Sequence, residues 1–337
     1  MTETAQSVKP APWLAPALQG LLLQRGHAWL LQGPSGLGQY RLALELVRGW
    51  LCWQASEQGA CGQCASCRNF DLRSHADLCV LMPETQMLDK DWPLHEKAQK
   101  EIDEKARKPS REIRVDAARD MVAFTQTTRS GGRHKVVLIY PAERMNHITA
   151  NTILKTLEEP PGDTRFLLVS EAAHLLLPTL RSRCQTHALT WPPVHVAEQW
   201  LRDQGLDGAD ASVLLSAAGG RPEDAWLMAQ SGLKASAWLA LPKAVARGDA
   251  QGLLAWAPAQ VVATLQKICH DCWRVAVGAT PRFFPSQSLP AGACLSALNQ
   301  WSKELTLSAK SAEHPFNAGL MLEALVSQAH LALQARN

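Results

Sequence analysis

Residues Gly33-Pro34-Ser35-Gly36-Leu37-Gly38-Gln39-Tyr40 carry the glycine framework of a phosphate-binding loop, G-x-x-x-x-G-K-[ST]. The apolar run at 27–32 reads as a strand before it, and 41–52 reads as a helix after it. That order commits this part of the chain to an α/β unit. Such a loop works only where backbone N–H groups converge at a helix N-terminus. Short apolar runs at 136–139 and 166–169 lie between helical patterns, as buried parallel strands do.

The chemistry of the loop is missing. Gln39 stands where a lysine would reach the β- and γ-phosphates, and Tyr40 where a small hydroxyl would sit on Mg²⁺. The second half of an ATPase site would follow a later strand, with an Asp that helps to hold Mg²⁺. The best strand for it is 135–139, and the next residues are Tyr140 and Pro141. With both halves lost, no intrinsic ATPase is expected, and no ATP in the degenerate loop of Gly33, Gly38, Gln39 and Tyr40. Tyr40 and Tyr140 are the two tyrosines of the chain. Either their rings fill or occlude the vacated pocket, or they pack elsewhere.

Cys52, Cys61, Cys64 and Cys67 give C-x8-C-x2-C-x2-C. A C-x2-C pair puts two thiolates on one tight turn, and four thiolates favour a closed, structural zinc. Small residues between them suit a knuckle. The start of the chain has no secretory signal pattern and no apolar run reaches membrane-spanning length, so a reducing cytoplasm is expected. There, clustered cysteines read as metal ligands before disulfides; chance clustering and redox thiols are the alternatives. Cys269-His270-Asp271-Cys272 has similar spacing but an apolar helical setting without a partner pair, and reads as buried thiols. Cys79, Cys184 and Cys294 read as singletons.

After Trp191-Pro192-Pro193 the patterns are almost wholly helical. The expected division is 1–190, 191–232 and 233–337. Residues 86–111 form a charged insert whose pairs Glu96/Lys100, Glu101/Lys105 and Glu104/Lys108 suit a solvated helix or a mobile loop. Net charge is +3, too small for a surface that coats nucleic acid. The twelve tryptophans are scattered singly and read as packing residues.

Two further stretches carry a resemblance. Asn151-Thr152-Ile153-Leu154-Lys155-Thr156-Leu157-Glu158-Glu159-Pro160-Pro161 looks like N-x-L-L-K-x-L-E-E-P-P, and Thr179-Leu180-Arg181-Ser182-Arg183-Cys184 contains S-R-C. With the loop remnant and the four cysteines, these resemble bacterial clamp loaders of the AAA+ superfamily over about residues 10–230. The resemblance implies an α/β P-loop (AAA+) parallel-sheet domain with a zinc module, then a small helical lid domain and an all-α collar domain for oligomerisation. Gln39, Tyr40, Tyr140 and Pro141 depart from the gamma/tau type, which hydrolyses ATP, and favour the delta-prime type.

The same resemblance implies a non-hydrolysing subunit of the DNA polymerase III holoenzyme, a nucleotidyltransferase assembly. Gamma/tau and delta subunits, the sliding clamp and primed DNA are its implied partners. Arg183 would act in trans as an arginine finger on a neighbouring ATPase subunit. Arg221 falls near the family's sensor-2 region and Ser170 near sensor-1. Two alternatives stand beside this reading: an active gamma/tau-like ATPase with unusual motifs, and an independent zinc-containing nucleic-acid-binding protein.

Overall fold

A computed structural model describes residues 11–312 and 317–335. The chain forms two compact units, Pro10–Pro192 and a unit that begins at Pro193. The first holds a sheet of five strands: β1 (Ala28–Gln32), β2 (Leu78–Leu81), β3 (Lys135–Ile139), β4 (Thr164–Ser170) and β5 (Gln185–Ala188). Their order is β2-β3-β4-β1-β5, and every pairing is parallel. The glycine loop therefore leaves a strand in the middle of the sheet, at its carboxyl edge, where open α/β sheets bind ligands.

The strands are apolar because both faces are covered. All five residues of β3 are buried, as are the first four of β1. Leu30, Val137, Ile139, Phe166 and Leu168 share a core with Ala118, Met121, Ile153 and Leu157. The helices of this unit are α1 (Ala15–Leu23), α2 (Gln39–Leu51), α3 (Ala65–Asp71), α4 (Glu84–Asp89), α5 (Glu96–Asp103), α6 (Val115–Gln126), α7 (His147–Glu158) and the short α8 (Pro178–Arg181). Those core residues come from α6 and α7. Helix α2 buries Leu42, Ala43, Leu46, Val47 and Trp50, a stripe at helical spacing, and packs against β1, β3 and β4.

The charged insert differs from its expectation. Helix α5 buries none of its residues, but it stops at Asp103, and Lys105 has φ 55°. Glu101/Lys105 therefore straddles the helix end and Glu104/Lys108 lies beyond it, so neither pairs along the helix. Glu101 instead accepts from Arg107 at 2.7 Å, and Arg107 reaches back to Glu84 at 2.8 Å. Trp92 is 5% exposed, so this segment is anchored in the unit rather than solvated throughout.

The second unit carries α9 (Val194–Asp203), α10 (Gly208–Ala217), α11 (Pro222–Gln230), α12 (Ala235–Ala246), α13 (Pro258–Ala276), α14 (Leu295–Ser311) and α15 (Ala318–Gln334). Trp238, Leu265, Ile268, Leu298, Trp301 and Ala329 are among its buried core. Trp238 stacks on Phe284 with centroids 4.6 Å apart. Proline at the first turn of α11 and of α13 costs no hydrogen bond there. No described helix is long and apolar enough to cross a membrane.

Candidate functional site

The glycine loop between β1 and α2 is built as the motif demands. Gly36 and Gly38 have φ 77° and 96°, left-handed values that a side chain would strain. Gly33 N–H donates to the Ser170 carbonyl at 3.2 Å, which ties the loop to the end of β4. The difference lies in Gln39, which is 2% exposed. Its Nε2 donates to the carbonyls of Gly33 and Pro34, both at 2.6 Å. The amide is folded back onto the loop, and no cation stands at this position.

Tyr40 opens α2 and Tyr140 follows β3, and their rings meet. The centroids lie 4.7 Å apart with the planes 24° from parallel. Trp92 Nε1 donates to the Tyr40 hydroxyl at 2.7 Å, and the Tyr140 hydroxyl donates to Glu171 Oε1 at 2.8 Å. Lys90 Nζ lies 4.9 Å from the Tyr40 ring centroid, and Arg73 stacks on Trp92 at 4.2 Å. Burial pushes both phenols up, and the carboxylate of Glu171 pushes Tyr140 further. The pair stays neutral, with Tyr40 accepting from Trp92 and Tyr140 donating to Glu171, instead of ligating a cation. Sequence reading missed Trp92, Lys90 and Glu171; a charged insert gives no signal of a tryptophan reaching across to α2.

Cys52 ends α2, Cys64 caps α3, Cys67 lies within α3, and Cys61 comes from the intervening loop. The four sulfurs lie within 4.8 Å of one another, with Cys52 Sγ 3.5 Å from Cys61 Sγ and 3.9 Å from Cys64 Sγ. A tetrahedral ion bound at about 2.3 Å sets its sulfurs about 3.8 Å apart, so the donor set fits. Backbone N–H groups of Gln54 and Cys61 point at Cys52 Sγ. Burial opposes ionisation at Cys64, but N–H donors from Cys67 and Trp53 outweigh it and bring the thiol to about 6. Burial and the neighbouring thiols hold Cys67 at about 12. The cluster could hold a metal ion, which would ionise all four together.

Cys269 and Cys272 lie elsewhere, on α13, 3% and 4% exposed. Burial pushes both thiols up to about 12. Asp271 between them is fully buried and accepts the N–H groups of Arg282, Phe283 and Phe284. It is a staple for the loop after α13, a role that no sequence spacing announces.

Arg183 follows α8. Its Nε and Nη2 both donate to Glu158 Oε2, at 3.0 and 2.9 Å, and its Nη1 donates to the Thr179 carbonyl at 2.9 Å. Glu158 ends α7, so the two quoted motif stretches converge on one ion pair. The Arg183 side chain remains 31% exposed. Ser170, at the end of β4, is buried, and its hydroxyl accepts the Ala172 N–H. Arg221, in the second unit, donates to the Ala218 carbonyl and pairs with Asp224.

Comparisons with known proteins converge on one family. Residues 23–192, half of the chain, match the family model described as DNA polymerase III, delta subunit. DNA polymerase III subunit delta' of Pseudomonas aeruginosa is 41% identical over 202 residues, 59% of this chain and 54% of that protein. The Escherichia coli protein of that name is 34% identical over 206 residues, again 59% and 54%. The match thus spans about half the length of these relatives. A solved DNA polymerase III gamma subunit-related protein from Thermotoga maritima superposes with TM-score 0.51 at 14% identity, over 95% of this chain and 100% of that one. It has the same fold.

Proposed function

The chain belongs to the DNA polymerase III delta subunit family, and from that premise we propose that it is a non-hydrolysing, delta-prime-type subunit of a clamp loader. Its task is to hold gamma/tau and delta subunits in a ring that opens a sliding clamp and places it on primed DNA. The observation that carries this reading is the side chain of Gln39, turned into its own loop and bound to the Gly33 and Pro34 carbonyls. A loop closed in this way presents no charge to a triphosphate. The Tyr40–Tyr140 stack supports the same reading from the other half of the site, by occluding it.

Arg183 is the catalytic contribution. Its side chain is about a third exposed just after a short helix, beside Glu158. Presented to a neighbouring subunit, it stabilises the charge that develops on a transferring γ-phosphoryl group. Such a finger is worth about 10³-fold or more in rate. Helices α9–α11 form the lid (191–232) and α12–α15 the collar (233–337) through which the ring assembles. Zinc occupies the four-cysteine cluster and fixes the loop between α2 and α3. The compartment is the cytoplasm.

The deciding experiment is DNA-stimulated ATPase of a reconstituted loader with wild-type chain or its Arg183→Ala variant. A partial fall in rate, with the complex intact by gel filtration, is the expected result. A variant loader as fast as wild type would leave Arg183 as a partner of Glu158 alone and remove the trans role.

A further inference from the structure

A cavity of about 350 Å³ opens beside the amino ends of β3 and β4 and the loop that leads from α2 into the cysteine cluster. This is the end of the sheet opposite to the glycine loop. Trp50, Ser56, Glu57, Arg133, His134 and Arg165 are among its walls. The donors there outnumber the acceptors.

Arg133 enters from the turn before β3, is exposed, and its guanidinium meets no carboxylate and no carbonyl among the described residues. Arg165, on β4, makes no ion pair among them either; it lies over indole rings, 5.2 Å from Trp50 and 5.7 Å from Trp29. The nearby Arg129 is already engaged, by Asp163 at 3.1 Å and by the Arg133 carbonyl at 2.7 Å. Two ring nitrogens in the wall, Trp50 Nε1 and His134 Nδ1, are shut off from solvent without a hydrogen-bond partner. Trp50 as a residue is 3% exposed. A buried donor left unpaired is costly, and native chains tolerate few of them. The carboxylate in this wall is Glu57, which is exposed.

We propose that this cavity is a phosphate-binding site, with the guanidinium groups of Arg133 and Arg165 supplying its charge and its hydrogen bonds. Phosphate fits the donor set better than a carboxylate does. It carries more charge and accepts from several directions, whereas one guanidinium fork satisfies a carboxylate. Burial and the cations Arg165 and Arg133 hold His134 well below the usual imidazole range, so it adds no charge of its own to the site. The phosphate is either a free anion or a phosphodiester of a nucleic-acid strand; the chemistry is common to both. The site does not depend on the loader reading, since it shares no residue with the glycine loop or with Arg183.

The test is titration of the full, zinc-loaded chain with inorganic phosphate at constant ionic strength, followed by calorimetry. Saturable binding is expected, weakened about five- to tenfold by Arg133→Ala and unchanged by Arg247→Ala, an exposed arginine of the second unit. Arg133→Lys should recover part of the loss. Because Arg133 is exposed, thermal unfolding in chloride buffer should show the variant as stable as wild type. A parallel titration with a fluorescent single-stranded oligonucleotide separates the sources. Weaker oligonucleotide binding by Arg133→Ala assigns a phosphodiester, and unchanged oligonucleotide binding with weaker phosphate binding assigns a free anion. No saturable phosphate binding, or equal binding by wild type and Arg133→Ala, overturns the proposal.

Discussion

Tyr40 and Tyr140 stack with ring centroids 4.7 Å apart, which joins the first turn of α2 to the residue that follows β3. These are the two positions where a working site would gather its metal ligands. The stack is also a packing element: Tyr140 is 7% exposed and donates to Glu171. Tyr140→Ala should therefore cost about 3 kcal/mol in urea unfolding, within the range for removing a buried aromatic ring. Tyr140→Phe keeps the ring but removes the hydrogen bond from its hydroxyl to Glu171, and should cost about 1 kcal/mol.

Restoring one half of the motif should not restore chemistry. The double variant Gln39→Lys, Tyr40→Thr rebuilds the loop sequence but leaves Tyr140 and Pro141 without a carboxylate for Mg²⁺ or for water. Steady-state ATPase of this variant alone is expected to stay at background. Turnover clearly above background would mean that Glu143 or Glu171 can serve, and the site would then be one loop short of active.

How much of this was legible in sequence depends on the range of the interaction. The glycine framework and apolar strands announce themselves locally, because a loop that wraps phosphate needs Gly36 and Gly38 at positive φ. The four cysteines do so too, because ligand spacing is short. Glu158 and Arg183 appeared in two separate motifs, and their pairing appears only once α7 and α8 are folded together. Trp92, Lys90 and Arg107 lie in a segment whose charge pattern suggested solvent, and long-range contacts hold them: Trp92 to Tyr40, Arg107 to Glu84. Sequence periodicity carries no term for such contacts.

Metal analysis of the purified chain should find about one zinc per chain, set by the single four-thiol cluster among the described residues. Cys64→Ser should bring that ratio near zero. Its effect should stay local, with lower thermal stability and greater proteolysis between residues 52 and 67. Replacement of Cys269 and Cys272 should leave the zinc content unchanged.

His134 gives a pH signature. Burial and the surrounding arginines lower its folded value to about 4, against about 6.5 in an unfolded chain. Between those values the unfolded state binds more protons, so the stability is complete above about pH 6.5 and lost as pH falls towards 4. His134 is only half-buried, and solvent screening reduces the effect to about 1–2 kcal/mol. Urea unfolding in phosphate-free buffer at pH 7 and 4.5 measures it. His134→Gln should flatten the difference by that amount; an unchanged slope would assign the acid limb to other groups.

The last comparison separates Asp271 from the cysteines on either side. Asp271 has no exposed surface and its two oxygens accept backbone N–H groups from Arg282 at 2.8 Å, Phe283 at 2.6 Å and Phe284 at 2.9 Å. Removing the carboxylate leaves three backbone donors, that of Phe284 buried, without this acceptor, so Asp271→Ala should cost about 3 kcal/mol. Asp271→Asn keeps the shape but offers one acceptor oxygen in place of two, and should fall between alanine and wild type. The flanking thiols pack as small apolar groups, and Cys269→Ala or Cys272→Ala should cost about 1 kcal/mol each, one buried sulfur's worth of transfer free energy. If the cysteine variants prove the more damaging in urea unfolding, the stability of this helix lies in its thiols, and the staple between α13 and Phe284 is secondary.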